Sequence, residues 1–104
     1  MTITWKQLAQ AVLTGSNVSI YSPATATQAT ITAASAWNPS GSPITVDVFI
    51  GTSAVDGTHV ARTVVPAGKT APVFDLVNQK LANPQNIYAS GNGATLTVSG
   101  AESV

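Results

Sequence analysis

Apolar and polar side chains alternate with a period of two along most of this chain, and that pattern predicts β-strands. The clearest run is residues 43–50, where four branched aliphatic residues fall on one face and a mainly polar set falls on the other. The first face carries Ile44, Val46, Val48 and Ile50. Phe49 makes the second face partly apolar, as expected of a strand that is covered on both sides.

Five further runs show the same alternation, and turn-forming residues separate them. The further strands are predicted at residues 17–22, 28–37, 58–65, 87–90 and 95–99. Within residues 28–37, alternation places Ala29, Ile31, Ala33 and Ser35 on one face. Proline and glycine turns interrupt the strands at residues 38–43, 56–57, 66–69 and 91–93. The sequence therefore predicts an all-β protein, an antiparallel β-sandwich or jelly roll of about eight short strands in a single domain spanning residues 1–104.

Two segments leave more than one interpretation open. Residues 6–13 are rich in helix formers, but we favour an extended N-terminal arm or edge strand for residues 1–15 over a short helix. Residues 73–81 fit either a helical turn or a strand followed by a bend. For this second segment we favour a strand at 71–76 and then a turn.

Charged residues are scarce, and this changes the functional picture. They make up only 8% of the chain and sum to zero net charge, against roughly 25% charged residues in an ordinary soluble domain. Four dispersed basic residues argue against binding to nucleic acid or to a membrane surface. No apolar run reaches the length of a membrane span, and no secretory signal is expected. Surfaces so poor in charge favour a protein that works covered by neighbouring subunits.

Candidates for chemistry are few. His59 is the single histidine, cysteine is absent, and the four acidic residues are scattered. A pair of His59 and Asp56 falls short of the ligands that a metal site needs. Ser53, His59 and one of Asp47, Asp56 or Asp75 could form a nucleophile, base and orienting acid, but Ser53 lacks a nucleophile-elbow sequence. We therefore expect no enzyme activity, no cofactor and no bound metal.

Interface candidates come mainly from the aromatic residues. Trp5 and Leu8 lie in the predicted arm, where a tryptophan has little core of its own to enter. Trp37 precedes a proline turn and is expected to cap one end of the core. The interface candidates are Trp5, Leu8, Tyr21, Trp37, Pro39 and His59.

The order of these segments resembles small virion proteins of tailed bacteriophages. The resemblance extends from about residue 17 to residue 102, and residues 83–86 depart from it because a Gly-Asp type of turn is expected there. It is carried by residues 19–24 (SIYSPA), 29–33 (ATITA), 37–41 (WNPSG), 44–50 (ITVDVFI), 62–70 (RTVVPAGKT), 87–91 (IYASG) and 96–100 (LTVSG).

The resemblance implies a non-enzymatic structural component of the virion, made in the host cytoplasm. The role expected first is capsid decoration, in which a cement protein stabilises the particle through subunit contacts. The expected partners are copies of the same chain, as a dimer or trimer, and a major capsid, tail or neck protein. Two alternatives are a neck, tail or fibre-adaptor protein and a carbohydrate- or receptor-binding module, for which Tyr21, Tyr88 and Trp37 would supply an aromatic platform.

Overall fold

The computed structural model describes residues 2–104, which form a β-sandwich of two antiparallel sheets. Nine strands and two 3₁₀ turns build it, and no α-helix occurs in the described residues. The strands are β1 (Ile3–Val12), β2 (Val18–Tyr21), β3 (Gln28–Trp37), β4 (Ile44–Gly51), β5 (His59–Val65), β6 (Thr70–Pro72), β7 (Lys80–Ala82), β8 (Asn86–Ser90) and β9 (Thr95–Ser103). The 3₁₀ turns are Asp56–Thr58 and Phe74–Leu76.

The strand order is that of a jelly roll. Sheet A has the order β1-β9-β3-β6, with β7 also paired to β3, and sheet B has the order β2-β8-β4-β5. The pairs β1–β9, β2–β8, β3 with β6 and β7, and β4–β5 are nested inside one another along the chain, which is the jelly-roll pattern. The predicted all-β antiparallel fold is confirmed, and the strand order selects the jelly roll among sandwich topologies.

Aliphatic side chains from both sheets meet in the core. In sheet B, the alternation predicted for β4 is confirmed, because its four branched residues are buried in the core cluster. In sheet A, Leu96 and Val98 of β9 are fully buried, as the alternation of residues 95–99 predicts. The opposite faces of the two sheets are left for solvent or for partners.

Two β-bulges lie side by side on either side of β9. Ile31 and Ala33 of β3 pair with Gly100 and Ser99, so Thr32 is the extra residue of one bulge. Leu8 is the extra residue of the other, because Gln7 pairs with Ser99 and Ala9 with Val98. A Cβ atom on Gly100 would lie 2.0 Å from the carbonyl oxygen of Thr30, so the close approach of β9 and β3 requires glycine there.

The bulge in β3 overturns part of the predicted face assignment. Alternation put Ala33 and Ser35 on the same face as Ile31, but beyond Thr32 the phase shifts by one residue. Ala34 and Ala36 therefore enter the core instead.

The bulge in β1 decides the position of Leu8. Residues 3–12 form the outer strand of sheet A rather than a helix, and most of the strand is exposed. Leu8, proposed above as an interface residue, is instead 9% exposed and belongs to the core cluster of its own chain. An extra residue in the strand turns this side chain inward, which simple alternation cannot anticipate.

The predicted strand at residues 71–76 is wrong in its second half. β6 ends at Pro72, and a 3₁₀ turn follows that buries Val73 and Leu76 while it leaves Phe74 exposed. Burial at a spacing of three fits a helical turn and not a strand. The chain then returns to the sheet edge, since the Asn78 amide donates to the Ile31 carbonyl at 2.7 Å.

Asn38 organises the turn between β3 and β4. Its side chain is fully buried, and its amide nitrogen donates to the carbonyl oxygens of Ser42 at 2.7 Å and Val65 at 3.0 Å. Its amide oxygen accepts from the backbone nitrogen of Ser40 at 2.8 Å and from the Ser40 hydroxyl at 2.7 Å. A buried polar group is tolerated when its hydrogen bonds are satisfied in this way.

Replacing Asn38 should therefore destabilise the domain strongly. We expect Asn38→Ala to lower the free energy of unfolding by about 3 kcal/mol, because the variant leaves buried backbone groups without partners. Urea unfolding followed by tryptophan fluorescence measures this change. Ser40→Ala is the matched control and should cost about 1 kcal/mol, since the backbone bonds of Asn38 remain. An Asn38→Ala variant as stable as the control would contradict this account.

Candidate interaction surface

The outer face of sheet A is a broad surface built from side chains that point away from the core. In antiparallel pairing, residues opposite each other across the strands share a face, so the face follows from the register of β1, β9 and β3. We define the outer A face by fifteen residues: Ile3, Trp5, Gln7, Gln10, Val12, Thr95, Thr97, Ser99, Ala101, Ser103, Gln28, Thr30, Ala33, Ser35 and Trp37.

None of these fifteen side chains is charged. Lys80 borders this face, because it lies opposite Thr30 on β7. The outer face of sheet B differs, because it carries Asp47 of β4 opposite Arg62 of β5. The few charged residues of the sequence are therefore distributed unevenly, and the outer side of sheet A carries almost no charged side chains.

Large apolar side chains are exposed on the outer A face. Trp5 is 71% exposed, and Ile3 and Val12 on the same strand are more than half exposed. Trp37 at the end of β3 is 43% exposed. The expectation that Trp37 caps the core is wrong, since its position opposite Thr95 and Thr70 directs its side chain outward.

A cleft of about 510 Å³ crosses this face from β1 to β7. Small side chains of β9 and β3 form its middle, including Ala101, Ser103 and Thr30. Larger ones stand on both sides, with Trp5 on β1 and Lys80 on β7. The difference in side-chain size across neighbouring strands produces the concave shape. The remaining lining residues are Ile3, Gln28, Ala29, Leu81, Ala82 and Gln85.

His59 belongs to a small ionic network on the opposite side of the sandwich. One carboxylate oxygen of Asp47 contacts the His59 ring nitrogen Nε2 at 3.0 Å and accepts from Arg62 Nε at 2.7 Å. The His59 ring also stacks on Phe49, with ring centroids 4.7 Å apart. The carboxylate raises the pKa of the exposed Arg62 guanidinium through hydrogen bonding and charge attraction. These contacts fix His59 in place within its own chain.

The structure pairs two of the suspected catalytic residues, His59 and Asp47, but no hydrogen bond among the described residues joins Ser53 to them. His59 binds Asp47, whereas Ser53 uses its carbonyl to accept from the Thr58 hydroxyl at 2.7 Å. Asp56 lies in the adjacent 3₁₀ turn. Within residues 2–104, no three His, Asp or Glu side chains cluster closely enough to hold a metal ion.

Tyr21 closes one end of the sandwich by bonding across to the other sheet. Its hydroxyl donates to Glu102 of β9, and Lys6 of β1 donates to the other carboxylate oxygen at 3.3 Å. Burial and the carboxylate raise the pKa of Tyr21 well above its usual range. The hydrogen bond from Tyr21 is the main cause of a lowered pKa at Glu102, and Lys6 adds to it.

The six candidate interface residues thus separate into two groups. Trp5, Trp37 and Pro39 are exposed, whereas Leu8 is in the core and both Tyr21 and His59 are bound to side chains of their own chain. Sequence reasoning missed the cleft residues Gln28, Lys80 and Gln85. The polar phase of the alternation marks Gln28 as outward-facing, but no local signal places it beside Lys80 and Gln85.

The contact between Tyr21 and Glu102 predicts a pH-dependent stability. Because folding lowers the pKa of Glu102, its contribution is present above the unfolded pKa of about 4.3 and is lost as the pH falls through the folded value. We expect Glu102→Gln to lower the free energy of unfolding by about 1 kcal/mol at pH 7, and by much less near pH 2. Urea unfolding at both pH values measures the difference.

Tyr21→Phe provides the matched variant. The double variant should be little worse than either single variant at pH 7, because each change removes the same charge-assisted contact between the Tyr21 hydroxyl and the Glu102 carboxylate. An equal loss for Glu102→Gln at pH 7 and pH 2 would show that the carboxylate charge is not involved.

Comparison with known proteins gives one structural likeness. No protein-family model and no curated protein matches the sequence. A solved structure described as "Bacillus endospore appendages form a novel family of disulfide-linked pili" is similar over 97% of this chain and 84% of that chain, with 18% identity and a TM-score of 0.49. In residues 2–104, no helix has the length and hydropathy needed to cross a membrane.

Proposed function

We propose that this protein is a non-enzymatic structural subunit whose outer A face is covered by neighbouring subunits in a larger assembly. The observation that carries the proposal is the fifteen-residue face without a charged side chain, on which Trp5 and Trp37 are exposed. Burying an unpaired charge costs several kcal/mol, whereas hydroxyl and amide groups can exchange water for protein partners at little cost. A face of this composition is suited to being covered.

The apolar area of Trp5 alone is too small to hold two subunits together, so a broad contact is needed. Covering the exposed part of Trp5 removes on the order of 100–150 Å² of apolar surface, a gain of roughly 3 kcal/mol. Association costs at least about 4 kcal/mol in lost translational and rotational freedom. Burial of one tryptophan does not offset that cost, so residues on several strands of the outer A face must contribute to the contact. In an assembly with many copies, small gains per contact add up over the particle.

The specific role proposed is capsid decoration in the virion of a tailed bacteriophage. The support for it is the resemblance of the strand and turn segments to such virion proteins, together with a jelly-roll topology that is common among viral coat proteins. A neck, tail or fibre-adaptor position is the alternative within the same class. Mass spectrometry of purified virions, combined with a map of the particle, tests the role and the position together.

Adding charge to the outer A face should disrupt assembly. We expect Thr97→Glu, in the middle of β9, to weaken self-association at least tenfold, because the new carboxylate would be buried between subunits. Sedimentation velocity at high micromolar concentration measures this, and we expect dimers or trimers for the unchanged protein.

Thr45→Glu is the matched control, since Thr45 lies on β4 and faces outward from sheet B. It should leave self-association unchanged. Both variants should keep the urea midpoint of the unchanged protein, so that a loss of assembly is not a loss of folding. Equal weakening by the two variants would contradict the assignment of the interface to sheet A.

A carbohydrate-binding role is the second candidate, and the cleft on the outer A face favours it. Trp5 offers an aromatic surface for a sugar ring, and Gln28, Gln85 and Ser103 offer neutral hydrogen-bonding groups. The platform expected from the sequence does not form, because Tyr21 is bound to Glu102 and Tyr88 lies on sheet B.

Glycan binding has a simple test. If the cleft binds sugars, an array probed with the isolated protein should give signals that Trp5→Ala abolishes and that Trp37→Ala retains, since Trp37 is not among the cleft residues. The absence of any glycan signal, together with binding to particles, would reject this second candidate.

A further inference from the structure

The free edges of the two sheets differ greatly in length. β2 has four residues, and β6 and β7 have three each with a 3₁₀ turn between them. β5 has seven residues and carries Arg62. β1 has ten residues, contains no proline and has Lys6 as its single charge. Short strands, charges, proline and bulges are the usual protections against edge pairing. β1 has the Leu8 bulge and Lys6, but it is the longest edge of the fold and lacks proline.

The register shows which backbone groups β1 presents to its free side. Thr2 and Val104 exchange both of their backbone hydrogen bonds, so the Thr2 amide points toward β9. Beyond the bulge, the Leu13 amide donates to the Ala94 carbonyl at 2.7 Å and also points inward. Backbone direction alternates along an antiparallel strand. The residues whose N–H and C=O groups point to the free edge are therefore Ile3, Trp5, Gln7, Gln10 and Val12.

The same five residues place their side chains on the outer A face. A strand added at this edge would bond to the backbone of Trp5 and also pack against its side chain. Up to ten unused backbone groups and the exposed apolar side chains of Ile3, Trp5 and Val12 thus act in one contact.

We propose that β1 pairs antiparallel with β1 of a second copy, so that two A sheets join into one continuous sheet across a twofold axis. This inference rests on the proposed function and adds a contact at the edge of the outer A face, separate from the contact that would cover Thr97 on β9. Pairing a strand with itself uses the longest edge on both sides, whereas pairing β1 with β5 could match at most seven residues. A self-complementary patch of this kind closes as a dimer.

Electrostatics favours a second copy as the partner. None of the five edge-facing residues is charged, and Lys6 points to the other side of the strand, where Glu102 binds it at 3.3 Å. Two copies of β1 therefore meet without facing like charges. The contact along the ten residues of β1 is about 33 Å long, which is small for a stable interface, so we expect a dissociation constant in the micromolar range.

Gln10 allows the backbone contact to be removed alone. Gln10→Pro deletes an amide that points to the free edge and leaves the hydrogen bonds between β1 and β9 intact, as proline at an edge position permits. Gln10→Ala is the matched control, because it removes the same side chain and keeps the amide. Sedimentation equilibrium of the full chain should show that Gln10→Pro dimerises at least tenfold more weakly than Gln10→Ala. Equal dimerisation of the two variants would overturn the proposal.

Hydrogen exchange on the unchanged protein gives an independent measurement that does not depend on the folding of a variant. The amides of Ile3, Trp5, Gln7, Gln10 and Val12 should exchange more slowly as concentration rises, and those of Thr4 and Lys6 should stay protected at all concentrations.

Unprotected edge amides at concentrations where the protein is oligomeric would overturn edge pairing and leave the outer A face as the interface. Growth into polymers with protected β5 amides would overturn the twofold dimer in favour of β1–β5 pairing. A monomer at millimolar concentration would overturn self-pairing, and binding to particles would still decide the proposed function.

Discussion

The placement of β9 between β1 and β3 is the constraint on which the rest of this structure depends. Sheet A exists only when this strand fills the gap between two strands that come from the first third of the chain. Its inward residues Leu96 and Val98 complete the core, and its outward residues form the middle of the outer A face. Both the hydrophobic core and the candidate interface therefore depend on pairing that is remote in sequence. Folds dominated by such pairing are expected to form slowly.

Gly100 shows how tightly that placement is fitted. The missing side chain lets β9 approach the backbone of β3, and the extra residues Leu8 and Thr32 bend the flanking strands on both sides of this point. Bulges of this kind increase local twist. The bulge in β1 also turns the Leu8 side chain from the surface into the core. One extra residue therefore determines both the bend of β1 and the presence of Leu8 in the core.

How far the sequence predicts the fold depends on how informative each strand is. β4 follows its pattern because large branched residues alternate with polar ones, and any other phase would expose four of them. In β3, the residues after Ile31 do not determine which side chains face the core, because alanine, serine and threonine are tolerated on either face of a sheet. The helical turn at Phe74–Leu76 was the less favoured of two interpretations, because its buried residues fit a strand as well as a helical turn over so short a segment. The site depends on register between distant strands, so Trp5 was identified as exposed while the cleft beside it could not be derived. Asp47 was one of three aspartates considered as a partner of His59, and only the register of β4 and β5 selects it.

The uncharged composition of the outer A face has a consequence for the environments in which an assembly could persist. Contacts between ionic groups are screened over about 8 Å at physiological ionic strength, so they weaken as salt is added. A contact made by hydroxyls, amides and tryptophan has no counterions to release and no attraction to screen. Particles joined through such faces would not lose cohesion when fresh water gives way to brine, and that cohesion would depend on temperature and on the concentration of subunits.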